Sequence, residues 1–447
     1  MAISTLDILC CQITIGDADS KNPMVIKNPI TLYEVQNIEI HESYKKLIGT
    51  AKIVFPKGTV FKSTIVGNGT VEGKDASLIT TEVMQDGVLI EKRNTQSVID
   101  ETTFKIGQRV NIKLGYNGVL KNMFDGYITA YNSDSIFELQ CENMAYKLKQ
   151  APKFETPVSG TKVNDVCGEK YGLLKDTGFE LHSETKKFDI QIGKVKITDN
   201  FTVADVLNDW SKFKVYCFLK YEEDSSAMPK IAIGRPYSSF KSDPTFPGDG
   251  NSSVPYKIQF DYHVAGSSLK ILKTDPKFLA VTGKALGSNE KFFEVTVRLN
   301  PEYDPDTPGS KEFQVVNATQ ISKKTHKITG NTTATGANTK TKVDLSTYTV
   351  VPYMSTKMNI NSDQLVEETI AYFKQYNLNG ITGDLTLFGD FGLTTAVQVE
   401  LIDHRNPSKN GVYLVDEVTT TFGVNGYRQK ITIPYKITGK TTYGNSK

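Results

Sequence analysis

Residues 104–143 read FKIGQRVNIKLGYNGVLKNMFDGYITAYNSDSIFELQCEN. Apolar and polar side chains alternate in three runs there: RVNIKLGY (109–116), MFDGYITAY (123–131) and SIFELQCEN (135–143). A period of two marks strands with one buried face. Between the runs, YNG (116–118) and NSDS (132–135) supply residues that accept tight or left-handed turns. The stretch predicts an antiparallel meander with Val110, Ile112 and Leu114 pointing inward and Gly126 on the returning strand.

Outward from this meander, VQNIEIHES (35–43) and GTAKIVFP (49–56) alternate in the same way. Near the other end the pattern returns. Val397, Val399 and Leu401 alternate in AVQVELID, a polar loop HRNPSKN follows, and GVYLVDEVTTTF and RQKITIPYKI run out and back. Gly126-Tyr127 has a counterpart in Gly411 and Tyr413. The order of elements suggests a duplicated strand unit, although any meander alternates.

Between the two lies different material. In FTVADVLNDWSKF (201–213), Thr202 and Asp205 have capping-box spacing, and Val203, Val206, Leu207, Trp210 and Phe213 share a helical face. A strand-like run, FKVYCFLKYEE, follows, and a weaker helix is expected in TKVNDVCGEKYGLL. Residues 151–262 are therefore expected to form an α+β module. A further helix is expected over Ser362–Gly380, with Val366, Ile370 and Phe373 on one face. The Thr-, Lys-, Asn- and Gly-rich segment at about 318–349 is expected to be an exposed arm or mobile loop.

The chain has 447 residues, too many for one ordinary core, and its 38% hydrophobic and 23% charged content is that of a folded protein. A net charge of +2, from 52 basic and 50 acidic residues without long single-sign blocks, gives no nucleic-acid footprint. No apolar run predicts a membrane span or a signal peptide, so synthesis in a cytoplasm is expected. The five cysteines show no Cys-x-x-Cys spacing, and Cys141 and Cys217 fall on strand runs as small buried hydrophobes.

No chemistry is marked. VGNGTVEG (66–73) lacks the register of a phosphate loop, and in DPDTPG (304–309) a proline stands where a calcium ligand is needed. His41, His182, His263, His326 and His404 have no metal-ligand spacing. No catalytic residue, cofactor or metal is expected. Lys113, Glu138, Glu142, Glu400, Arg428 and Lys430 are expected to point outward.

FKIGQRVNIKLGYNGVLKNMFDGYITAY resembles the first tube-like domain of phage tail baseplate hub proteins, the family that includes late control protein D and the hub half of VgrG proteins. The resemblance is carried by Gly107, Val110, Ile112, Gly115, Tyr116, Phe124, Gly126 and Ile128. GTAKIVFPKG is similar to the early strand of the same barrel. ITGDLTLFGDFGLTTAVQVELID with NGVYLVDEVTTTFGVNGYRQKITI is similar to the second tube-like domain.

The resemblance implies a mainly β fold with an α+β insertion: a first tube-like β-barrel at 1–150, an α+β domain at 151–262, and a second tube-like barrel at 263–447. It implies a homotrimer forming a pseudo-sixfold ring that adapts a hexameric tail tube to a trimeric spike in a virion tail, baseplate or injection particle. Expected partners are further copies of the chain, a tail tube protein, a separate spike protein, and other baseplate or tape-measure proteins. A separate spike is expected because only TGKTTYGNSK follows Ile437. A different class of function, carbohydrate binding or cell-wall degradation, is suggested by the β-rich pattern and 21 tyrosines. Release of fragments from host cell wall distinguishes the two.

Overall fold

The computed structural model describes most of residues 8–438. It leaves out 62–64, 67–69, 72–78, 99–102, 152–156, 186–190, 197–200, 222–226, 235–254, 272–277, 287–290, 307–310, 323–327, 332–344, 356–361 and some shorter gaps. The chain is mainly β. No described helix is long and apolar enough to cross a membrane.

The N-terminal unit contains β1 (Leu9–Ala18), β2 (Ile26–Leu32), β3 (Asn37–Ser43), β4 (Thr50–Phe55), β5 (Arg109–Tyr116), β6 (Val119–Asn132) and β7 (Phe137–Asn143). They lie side by side in the order β2-β1-β5-β6-β7-β4-β3. The sheet curls around one core, since every strand contributes to a single cluster that includes Ile13, Leu32, Ile38, Ile53, Ile112, Ile128 and Leu139. Register shifts at Ile112/Lys113 and Ile128/Ala130 add local twist, which helps a sheet bend. Gly126 sits where the strands close up. A Cβ there would lie 2.1 Å from the Glu142 carbonyl oxygen.

The middle module packs on the end of this unit. Helix α1 (Val203–Asp209) begins with the expected capping box, Thr202 Oγ1 accepting from Asp205 N at 3.2 Å and Asp205 Oδ2 accepting from Thr202 N at 3.0 Å. Its Val203, Val206 and Leu207, with Trp210, share a core with Leu47, Met144 and Leu148 of the N-terminal unit. Strands β8 (Tyr216–Lys220) and β9 (Lys230–Gly234) pair antiparallel. Cys217 faces that core, while Tyr216 and Phe218 face the other way. Cys141 and Cys217 are buried, and burial pushes both thiols well above their ordinary range.

The run YKIQFDYHV (256–264) is not one strand: β10 (Tyr256–Gln259) and β11 (Val264–Ser267) flank the single helical turn α2 (Phe260–His263). Gln259 N donates to His263 Nδ1 at 3.0 Å across the turn, a local bond that competes with strand pairing.

Residues 279–378 build their own layered element. Strands β12 (Leu279–Leu286), β13 (Lys291–Leu299), β14 (Phe313–Ser322), β15 (Ile328–Asn331) and β16 (Thr349–Met354) form a sheet in the order β15-β14-β13-β12-β16. Helix α3 (Ser362–Leu378) covers it, with Leu365 and Phe373 in its two small cores and Val366 and Ile370 packed beside them. Part of the expected arm, 318–322 and 328–331, is strand in this sheet. Residues 323–327 and 332–344 of it lie outside the described residues.

The C-terminal strands are β17 (Asp384–Phe388), β18 (Gln398–Ile402), β19 (Gly411–Leu414), β20 (Glu417–Gly423), β21 (Gly426–Thr432) and β22 (Tyr435–Thr438). Their pairings return on themselves. β18 pairs with β19, and the chain runs on from β19 into β20. β20 pairs with β21, β21 with β17, and β17 with β11. β11 leads back through α2 to β10, which pairs with β18. Inside this circuit lie Ile258, Leu385, Leu387, Val399, Leu401, Tyr413, Val418 and Ile431.

Candidate functional site at the seam between the two β units

The residues singled out from sequence divide between two cores. Val110, Ile112 and Leu114 are fully buried in the N-terminal core, with Val110 opposite Gly126 across the β5–β6 pair. Val399 and Leu401 are fully buried in the C-terminal core, with Leu401 opposite Gly411. Val397 packs against the same core from just before β18. The two sets are not brought together. What joins the units is a strand pair that neither set contains.

β3 and β20 run antiparallel over seven residue pairs, from Asn37 opposite Gly423 to Ser43 opposite Glu417. Through them β11, β17, β21 and β20 of the C-terminal unit join the seven N-terminal strands in one eleven-stranded sheet. Cores also cross the seam: Phe422 and Tyr427 from the C-terminal strands belong to the N-terminal cluster. Tyr116 lies 5.6 Å from Tyr427, ring to ring, and its hydroxyl donates to the Tyr427 carbonyl at 3.2 Å. Gly423 is required at the far end, where φ is +153° and a Cβ would sit 2.4 Å from the Gln36 carbonyl oxygen.

The run 411–423 changes partner at Val415 and Asp416. Val415 exchanges backbone bonds with 396–397, its N–H donating to Val397 O and its carbonyl accepting from Ala396 N, both at 2.9 Å. One residue later, Asp416 N donates to Thr432 O at 2.8 Å, and Asp416 O accepts from Tyr44 N at 3.3 Å. The strand thus closes the C-terminal circuit with its first half and reaches the N-terminal unit with its second. The Asp416 side chain is buried and ion-paired with Lys45. Burial lifts its carboxyl above the ordinary aspartate range, although the bond from Lys45 opposes the shift. On the neighbouring strand, His41 meets Glu417 at 2.9 Å and Thr419 at 3.2 Å.

The middle module closes over this seam. Tyr216, Phe218 and Ala232 pack with Tyr44 of the N-terminal unit and with Ala396 and Leu414 of the C-terminal unit. Tyr44 and Tyr216 meet edge to face at 5.5 Å. Beside them is a cavity of about 110 Å³ bordered by all three units. Glu42 comes from the end of β3 and Lys46 from the turn after it, Lys220 and Tyr221 from the end of β8, and Thr394 and Thr395 from the approach to β18.

One expectation is corrected here. Glu400 was expected to face outward, but it is fully buried on β18, whose two edges are taken by β10 and β19 with Lys257 and Val412 beside it. Glu138, Glu142 and Lys430 instead pair across the surface with Lys52, Lys149 and Asp384. Sequence reasoning also missed Arg109. It lies in the outward phase of its strand but is fully buried, donating to Pro23 O and Gly126 O at 2.8 Å and to Asp125 Oδ1 at 3.2 Å. No grouping of His, Cys, Asp and Glu among the described residues could hold a metal ion.

No family model matches the chain. No curated protein matches it. It is similar to the solved 43 kDa tail protein of prophage MuSo2 from Shewanella oneidensis, at 11% identity over 95% of this chain and 98% of that one, with a TM-score of 0.46. The tail protein from Neisseria meningitidis MC58 is similar at 10% identity over 95% and 96%, with a TM-score of 0.48. A Francisella PdpA-VgrG complex in its half-lidded form is similar at 10% identity over 96% of this chain and 58% of that one, with a TM-score of 0.45.

Proposed function

We propose that the chain is the structural hub of a phage tail baseplate or of a related contractile injection machine. It acts as a homotrimer whose six β units form a near-sixfold ring between a tail tube and a trimeric spike. The observation that carries this reading is the seam. Two β units, each with its own main core, are joined edge to edge by β3 and β20, so that one sheet runs through both. A subunit that presents two comparable units in a fixed orientation lets threefold symmetry approximate sixfold symmetry. Backbone pairing is suited to fixing that orientation, because a register slip of one residue would expose every inward side chain. The sequence resemblance of both units to tube-like domains supports the same reading, and on it the chain serves assembly and performs no chemistry.

The test is native mass measurement and electron microscopy of the chain assembled with its tube and spike proteins. The expected result is three copies with six β units around one axis. A single copy in the assembled particle, or second units lying off the ring, overturns the proposal. Incubation with host cell wall is expected to release no fragments.

A further inference from the structure

The two β units repeat one another strand for strand. In the N-terminal unit β3, β4, β7, β6 and β5 lie side by side in that order; in the C-terminal unit β11, β17, β21 and β20 do so, and β19, which runs on into β20, pairs with β18. The strands follow the same chain order in both. The equivalence reaches single residues. Gly107 N donates to Ile128 O and Ile128 N to Gln108 O, and Val415 exchanges the same two bonds with Ala396 and Val397. Gly107 and Ala396 both take left-handed backbone, at φ +89° and +62°. Phe104 and Leu393, which precede them at the same spacing, are each buried in the core of their own unit.

In this repeat β11 is the counterpart of β3, and β6 past Ile128 is the counterpart of β20. Within the chain, β3 occupies the flank of β20 that opens where the pairing with β18 ends at Val415. The matching flank of β6, at 129–131 on the side away from β7, carries no strand among the described residues, and neither does the edge of β11 away from β17. Ser268 N donates inward to Asp384 O at 3.0 Å, so the N–H and C=O of Ser267 turn to that open edge. Large apolar side chains are exposed at both places, Ile106 and Tyr131 beside the β6 flank and Tyr262 just before β11. The other end of the eleven-stranded sheet, β2, is defended against pairing: Pro29 offers no N–H, Asn28 takes φ +48°, and the short strand at 60–61 lies beside it.

We propose that β11 of one copy pairs antiparallel with the open β6 flank of the next, so that the contact between copies repeats the β3–β20 seam within each copy. In a single chain β11 and β6 are separated by β17, β21, β20, β3, β4 and β7, so each finds its partner on another copy. The contact is head to tail, because the two edges differ, and such contacts close into a ring when the rotation per unit divides the circle. Internal and external seams then alternate, and three copies space six units evenly. The inference rests on the hub reading and deepens it by naming the strands at which copies meet. Pairing through the backbone fixes the register between copies as it does inside the chain.

The test is hydrogen exchange of the full chain, as single copies and assembled with its tube and spike proteins, with native mass measurement of the copy number. Assembly is expected to slow exchange about tenfold or more at 264–268 and 129–131 and to leave 26–32 unchanged. Ser267→Pro, which removes an N–H from the open edge of β11 and leaves the Ser268 bond to Asp384 in place, is expected to lower the three-copy species about tenfold or more. A three-copy assembly in which 264–268 and 129–131 exchange as they do in single copies overturns the pairing and leaves the hub reading standing. Protection at 26–32 in their place does the same, as does a folded Ser267→Pro chain that assembles like the wild type. A single copy in the assembled particle overturns both. If Ser267→Pro does not fold, the wild-type exchange decides alone.

Discussion

The two β units reach the same end, a buried core lined by alternate strand residues, by different closures. In the C-terminal unit the pairings return on themselves, because the run 411–423 pairs with β18 through its first half and with β21 through its second. In the N-terminal unit the paired strands run from β2 to β3, and β3 takes its second partner from the other unit. An open sheet edge presents unpaired N–H and C=O groups and is normally covered. Here the covering is β20, so the N-terminal unit is completed by the C-terminal one. The pairing thus joins the two units edge to edge through backbone bonds.

The largest expected effects test whether the cores are separate. Ile112→Ala and Leu401→Ala should each lower unfolding free energy by about 2–5 kcal/mol, through lost burial and the cavity left behind. Because the two side chains belong to different clusters, the double variant should be additive within about 0.5 kcal/mol in urea melts. Strong coupling between them would mean that the two cores behave as one.

Next is the closure of the N-terminal unit itself. Gly126→Val places a side chain against the Glu142 carbonyl and the Phe124 ring, and overpacking of this kind costs about 1–3 kcal/mol. Loss of protection at 137–143 in hydrogen exchange should accompany it.

At the seam, Lys45→Ala leaves the Asp416 carboxyl without its cation and is expected to cost about 1–2 kcal/mol. The Asp416 carboxyl titrates above the ordinary aspartate value, so the penalty belongs to its ionised form. It should therefore be larger at pH 8 than at pH 4 when thermal melts are compared. The opposite slope would show that the pair does not act through charge.

The smallest effect is expected on the outer face. Burial would raise Asp384, but bonds from Lys430 and Thr432 outweigh it and hold the carboxyl below its ordinary range. Lys430 is more than half exposed, and Lys430→Ala should change stability by no more than about 0.5 kcal/mol. A depressed carboxyl contributes above its unfolded value, so what little the pair adds should disappear as pH falls through the acid range.

Much of the fold was legible along the chain. Strand β5 falls on RVNIKLGY, and the other runs in 104–143 match strands to within a few residues, because a half-buried strand must alternate. The capping box at Thr202 and the helix over Ser362–Leu378 were legible for the same kind of reason, since capping and helical spacing are local. The seam was not. Lys45 and Asp416 carry no local signal, and they matter only because β3 and β20 are paired across more than 370 residues of sequence.

Glu400 and Arg109 show the same limit from the other side. Each sits in the polar phase of an alternating strand, and each is fully buried, Arg109 beneath the Pro23 carbonyl and against Asp125. By itself, the sequence determined which residues form strands and which face of each strand is apolar, because backbone pleating and helical pitch act over a few residues. Tertiary structure alone decided which edges meet and that 411–423 serves two sheets. Pairing partners and burial depend on chain segments that are distant in sequence, which no local pattern specifies.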